Sequence, residues 1–224
     1  MSAMLASVNS LQEALFMQSF QVDVIDLKQP AKGALGALAV ADVAEIVNSL
    51  DSGRLISATV GDLPMQPDVL VTAVQAMAAT GVNYVKIGFF PADNWLDCIH
   101  QLGILAKQGY ALIAVLFADS QPDLAVIQAL QQAGFAGVML DTMHKNLGSL
   151  TQHMSPAELQ AFVGKAKAAG LISGLAGSLT KEDISVLLPL RADYLGFRGA
   201  LCKQSQRTAG LDSQQIADIR QRIK

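Results

Sequence analysis

The chain has 224 residues, of which 51% are apolar and 16% charged, and its formal charge is −3. This is enough apolar material for one sizeable core, which excludes a disordered or fibrous chain, and the net acidity argues against a general nucleic-acid reader, which carries a basic face. The two cysteines, Cys98 and Cys202, stand in no metal-like spacing with His100, His144 or His153, so neither a disulfide framework nor a zinc site is expected.

In chain order, apolar runs of strand type alternate with segments of helical period. A strand over 4–8 is followed by one over 22–28, which ends Asp26-Leu27-Lys28. A helix over 41–50 leads to a strand over 55–60, and a helix over 68–80 to a strand over 84–89 that carries Lys86. Helices over 94–108, 124–133, 156–169 and 182–190 alternate with strands over 111–118, 137–142, 171–177 and 194–198, and a helix over 213–220 closes the chain. Ser155 before Pro156 is a helix start signal. Gly81, Gly109, Gly134 and Gly170 each follow a helix and precede a strand, as a left-handed C-cap requires.

Eight βα units with no Gly/Ser linker and no composition break predict a single domain, 1–224, folded as an α/β (β/α)8 TIM barrel. The competing open, doubly wound sheet calls for a glycine-rich fingerprint after the first strand, and Ser7-Val8-Asn9-Ser10-Leu11 has none. The start of the chain lacks a basic segment, and the longest apolar run, 111–118, falls far short of the ~20 residues a membrane helix needs. The expectation is a cytoplasmic protein with neither membrane nor nucleic acid as partner. The apolar composition leaves room for a homo-oligomer without setting its stoichiometry.

A barrel of this kind holds its chemistry at the carboxyl ends of its strands. The polar residues lie there: Asp26 and Lys28, Ser57, Thr59 and Asp62, Lys86, Asp141 and Arg198. Residues two apart on a strand share a face, so Asp26 and Lys28 point inward together, and Lys28, Lys86, Asp141 and Arg198, from alternate strands, are expected to form one ring. A buried ammonium is costly unless it is paired or gives up its proton, and a neutral lysine is a nucleophile toward carbonyls. Solvent-reaching lysines, with Asp26 and Asp141 as structural ion-pair partners, are the plainer reading of the same residues.

The loops after strands seven and eight are the usual phosphate cradle of such barrels. Here they supply Gly177, Ser178, Arg198, Gly199 and Lys203, with Arg207 as a further cation. Gly33 and Gly36 offer either a second anion pocket or simply a flexible loop.

The segments Asp26-Leu27-Lys28-Gln29-Pro30, Ser57-Ala58-Thr59-Val60-Gly61-Asp62-Leu63-Pro64, Tyr84-Val85-Lys86-Ile87-Gly88, Met139-Leu140-Asp141-Thr142, Leu175-Ala176-Gly177-Ser178 and Arg198-Gly199-Ala200 with Cys202-Lys203 resemble, in order, the (5-formylfuran-3-yl)methyl phosphate synthases of methanofuran biosynthesis. The resemblance implies a TIM-barrel lyase that joins two molecules of glyceraldehyde 3-phosphate without a cofactor. It implies a Schiff base on Lys28, a proton acceptor at Lys86, and assistance from Asp26, Asp141 and Lys145. Two departures from the family pattern are a glycine-poor segment over 204–210 and a short loop over 119–122. Another Schiff-base aldolase, a cofactor-free phosphosugar isomerase or a non-catalytic phosphate-binding barrel would use many of the same groups.

Overall fold

The computed structural model describes residues 2–223. Eight parallel strands, β1 (Ala3–Val8), β2 (Val24–Leu27), β3 (Leu55–Thr59), β4 (Tyr84–Phe89), β5 (Leu112–Phe117), β6 (Gly137–Asp141), β7 (Ile172–Leu175) and β8 (Tyr194–Phe197), pair in sequence order and close into a barrel when β8 returns to β1. The main connecting helices are α1 (Leu11–Ser19), α2 (Val40–Ser49), α3 (Pro67–Ala78), α4 (Trp95–Lys107), α5 (Val126–Ala133), α6 (Leu150–His153), α7 (Pro156–Ala168) and α8 (Ile184–Leu187), with α9 (Ser213–Ile223) at the end. No described helix is long and apolar enough to cross a membrane.

Strand period decides which side chains meet. Met4, Ala6, Val8, Ile25, Leu27, Ile87 and Phe89 face outward and join the helices in the larger core cluster. The alternate positions face the barrel axis, where Leu5, Val24, Ile113, Val115, Phe117, Met139 and Ala176 form a second, smaller cluster. The lower barrel is therefore filled by apolar side chains apart from a small apolar recess, and small polar inward positions survive only toward the carboxyl ends of the strands, where packing leaves room.

Helix ends follow the local chemistry. Ser155 accepts from Glu158 N at 3.3 Å while Glu158 Oε2 accepts from Ser155 N at 2.7 Å, which is a reciprocal capping box ahead of Pro156. Gly81, Gly109, Gly134 and Gly170 all take positive φ. The helical period does not single out α1, because Leu15 and Phe16 are exposed apolar residues that blur its face. It is Ser10, accepting from Glu13 N at 3.2 Å, that starts it.

Small residues make room inside the barrel. A Cβ on Gly137 would stand 2.6 Å from the Ile172 carbonyl oxygen, whereas one on Gly174 would stand 2.5 Å from Cγ of the flexible Met139. Gly174→Ala should cost about 1–3 kcal/mol, the usual penalty for overpacking, and Gly137→Ala more, because a backbone carbonyl cannot move aside. Urea unfolding of the two variants checks the order, and equal costs would show that the β6–β7 pair is less rigid than this packing requires.

Candidate active site

Asp26 lies at the centre of the polar layer. It is wholly buried and accepts hydrogen bonds from Ser7 Oγ at 2.8 Å, Ser57 Oγ at 2.6 Å and Lys86 Nζ at 2.9 Å. Ser7 and Ser57 are its register partners on β1 and β3, so the ladder itself delivers the two hydroxyls. Burial alone would raise the pKa of this carboxyl. The charges of Lys86 and Lys28, with the bonds from Lys86 and Ser57, outweigh burial and hold it below the ordinary 3.8.

A second pair stands at the mouth. Asp141 ends β6 and accepts from Thr142 N at 2.7 Å and from Lys145 Nζ at 2.5 Å. Burial again pushes its pKa up, and the charges of Lys145 and Lys28 with these two bonds bring it below 3.8. Lys145 belongs to the loop between β6 and α6, where Ser178 Oγ donates to its backbone carbonyl at 3.0 Å. The β6 and β7 loops meet because Gly177, at φ 114, has no Cβ to strike Thr142 N, which would lie 2.8 Å away.

Lys28 stands between the two pairs. Burial lowers its pKa from 10.5 to about 8; Asp141 and Asp26 oppose that shift, and Lys145 and Lys86 reinforce it. About a tenth of the amine is therefore neutral at pH 7. The structure thus brings Asp26, Lys28, Lys86, Asp141 and Lys145 together around one cavity of about 280 Å³ at the carboxyl end of the barrel, with Lys28, Lys86, Asp141 and Lys145 on its wall.

The expected ring and cradle need three corrections. Arg198 does line the cavity, but each of its five N–H donors has a protein acceptor. Nε bonds Arg207 O at 2.8 Å, Nη1 bonds Ser7 O at 3.1 Å and Glu13 Oε2 at 2.5 Å, and Nη2 bonds Glu13 Oε1 and Ala209 O, both at 3.2 Å. Arg198 is a brace between the β8 loop, β1 and α1, with no donor left for a phosphate. Lys203 is exposed and lies off the cavity wall. Gly33 and Gly36 do not frame an empty anion pocket, because the Asp62 carboxylate already accepts from Ala34 N and Leu35 N at 2.8 and 2.7 Å.

Arg207 is the cation left over on the wall. Its Nη2 donates to Gly33 O at 2.9 Å, and its other donors have no acceptor among the described residues. Burial, with the charge of Arg198, lowers its pKa below the ordinary guanidinium range, against the favourable charges of Asp141 and Asp62. Ser178, Leu179 and Gly199 also line the cavity, and their backbone N–H groups have no protein acceptor among the described residues. Glu13 gives no sign in the sequence of being a site residue, since it is 185 positions from the arginine it holds. Among the described residues no group of three or more His, Cys, Asp or Glu side chains is placed to hold a metal ion.

A closed (β/α)8 barrel with a lysine of lowered pKa among paired carboxylates, and unpaired N–H donors in its last two loops, has the layout of a TIM-barrel enzyme. The model of the 4-HFC-P synthase family matches residues 4–220, and the chain belongs to that family of synthases. A protein from Methanocaldococcus jannaschii named (5-formylfuran-3-yl)methyl phosphate synthase is 30% identical over 233 residues, with 99% of each chain covered. One from Methylorubrum extorquens, which bears the same name provisionally, is 40% identical over 215 residues, covering 96% of this chain and 88% of its own. Among solved structures, the 3-hexulose-6-phosphate synthase of Salmonella typhimurium superimposes with a TM-score of 0.70 at 16% identity, over 99% of this chain and 98% of that one, which is a likeness of fold.

Two measurements test the site. Arg198→Ala should cost about 3–5 kcal/mol of stability, because it strands Glu13 and several carbonyls. Arg207→Ala should leave stability nearly unchanged and weaken binding of inorganic phosphate by about 1.5–3 kcal/mol. Calorimetric unfolding and phosphate titration of both variants would expose a reversed pattern. In a separate test, Asp26→Asn leaves Lys86 buried and unpaired, and a loss of about 3–5 kcal/mol is expected near neutral pH. The sign with pH follows from the lowered carboxyl pKa: the stability Asp26 supplies is complete above 3.8 and fades as pH falls through the still lower folded-state value. The gap between wild type and Asp26→Asn in urea midpoints should therefore narrow in strong acid, and a gap that widened there would contradict the assignment.

Proposed function

We propose that this enzyme joins two molecules of glyceraldehyde 3-phosphate into (5-formylfuran-3-yl)methyl phosphate for methanofuran biosynthesis, through a Schiff base on Lys28. The observation that carries the reading is the Lys28 amine, with a pKa of about 8, set between the Asp26–Lys86 and Asp141–Lys145 pairs in a chain that belongs to this family. The overall change releases one phosphate and two water molecules, and its atoms and electrons balance with no external oxidant or reductant. As a carbon–oxygen bond cleavage that expels phosphate, it is lyase chemistry.

One triose phosphate condenses through its aldehyde with neutral Lys28, releasing water, and the imine nitrogen then accepts electrons as the neighbouring carbon loses a proton. Lys86, held by Asp26, is the proton acceptor, and Asp141 with Lys145 serves the proton steps at the imine and at the departing water. The resulting enamine expels its phosphate by β-elimination, received by Arg207 and the free N–H groups of Ser178 and Gly199. The terminal carbon so exposed attacks the ketone carbon of the second triose phosphate, isomerised to its ketone form, which gives the branched skeleton of the product. Closure of that triose's hydroxymethyl oxygen onto the first triose's carbonyl, loss of two water molecules and hydrolysis of the imine give the aromatic furan, which makes the sequence effectively irreversible. A cavity of about 280 Å³ sits at the lower edge of the ~300–1,000 Å³ usual for ligand sites, in keeping with small phosphorylated substrates.

Incubation with glyceraldehyde 3-phosphate alone should give a new ultraviolet chromophore with the furan product's mass, and borohydride added during turnover should label the Lys28 peptide. Imine formation should rise with pH and level off above about 8 as the amine deprotonates. Lys86→Arg keeps the charge but cannot release a proton, so furan output should fall by ~10²–10⁴ while trapping at Lys28 persists. Label found only on Lys86 would reverse the two roles.

A further inference from the structure

The mouth of the barrel is only half open. The cavity is walled by residues of β1, β6, β7 and β8 and their loops together with Lys28 and Lys86, whereas apolar side chains fill the side of β4 and β5. Leu35 is fully buried there, in the inner cluster with Phe117 and with Phe90 against it. A Cβ on Gly88 would lie 2.9 Å from Leu35 Cδ1, 2.7 Å from Phe90 Cε2 and 3.3 Å from Phe117 Cζ. Gly88 follows Lys86 by two residues on the same inward face, so the three apolar side chains sit one layer to the solvent side of Lys86.

No regular element holds Leu35 in place. It belongs to the loop that begins directly after Lys28 and is closed by Gln29 N donating to Gly36 O at 2.7 Å. Both Asp62 oxygens are engaged by this loop, Oδ2 with Ala34 N and Oδ1 with Leu35 N. The approach is close enough that a Cβ on Gly33, which has φ 122, would stand 2.0 Å from Asp62 Oδ2. A fixed anion is thus built into a loop whose sequence suggests a place for a ligand.

We infer that Asp62 is a positioning residue for this site: its carboxylate seats Leu35 as an apolar plug that closes the β4–β5 side of the mouth, so that water reaches the amines of Lys28 and Lys86 only through the cavity. The inference deepens the proposed function, on which its catalytic meaning rests, yet the plug can be tested without substrate. The charged groups facing Lys28 are Asp26 on β2, Lys86 on β4, Asp141 on β6 and Lys145 in the loop that follows. Arg207, from the β8 loop, bonds Gly33 O and senses Asp62, while Arg198 is committed to Glu13. The sign of the effect separates two mechanisms. Loss of the Asp62 negative charge acting directly would make Lys28 easier to deprotonate, whereas water admitted by an unseated plug would make it harder.

The experiment is competitive acetylation of the protein alone with acetic anhydride across a pH series, with the Lys28 peptide quantified by mass spectrometry. The wild-type midpoint is expected at about 8. Asp62→Asn and Leu35→Ala should each raise the midpoint by about one pH unit, and Leu35→Met, which keeps the plug apolar, should restore the wild-type value. A midpoint that stays put or falls in Leu35→Ala overturns the inference, as does a rise in Asp62→Asn alone; should Asp62→Asn fail to fold, the two Leu35 variants decide. Because no triose phosphate is present, absence of furan product in the wild type would sink the proposed reaction and leave this result untouched.

Discussion

The structure depends on one arrangement of charge, the burial of Asp26 beneath two lysines. Two ammonium groups cannot share a barrel interior without an anion between them, and that anion cannot be buried unless its oxygens are hydrogen-bonded. Here Ser7, Ser57 and Lys86 supply three donors to one carboxylate, and the donors arrive from three different strands. Lys86 is thereby directly paired, and Lys28, whose Nζ makes no such bond among the described residues, is the amine whose pKa burial brings down to about 8. Closure of the barrel and tuning of the Lys28 amine are in this sense one event.

The loops around the mouth are fastened chiefly by hydrogen-bonded carboxylates. Glu13 holds Arg198 and with it the β8 loop. Asp62 holds the loop after β2, Asp119 accepts from Met143 N and His144 N in the loop that carries Lys145, and Asp183 gathers Ser149, Thr151 and Thr180 next to Ser178. Each brace ties a mouth loop to a neighbouring loop or helix start, so the cavity wall is preorganised. These acidic residues near the mouth are thus engaged by loop donors or by Arg198, whereas Asp26 and Asp141 touch lysines.

The barrel and its lysines are legible in the sequence because they rest on period and position. Strand runs of period two, helices closed by glycine and eight repeats of the unit point to one architecture, and a lysine at an inward strand end is too costly to keep there without a partner or a chemical role. Arg198 and Lys203 mislead for the same reason that Arg207 is easily undervalued. All three lie after β8 with suitable charge, and local pattern cannot say which cation has its donors already engaged. Gly33 and Gly36 have the pattern of an anion nest and form one, but the anion is the chain's own Asp62.

By itself, then, the sequence determined the (β/α)8 fold and the inward set Asp26, Lys28, Lys86 and Asp141, since these follow from alternation along single strands and from βα order. The tertiary structure alone decided which charges are paired and which are free. Partners such as Glu13 with Arg198, 185 positions apart, or Arg207 with Gly33, 174 apart, are selected by barrel closure and loop packing. Hydrogen bonding and desolvation act through space over a few ångströms, and only the closed barrel sets which groups come within that reach.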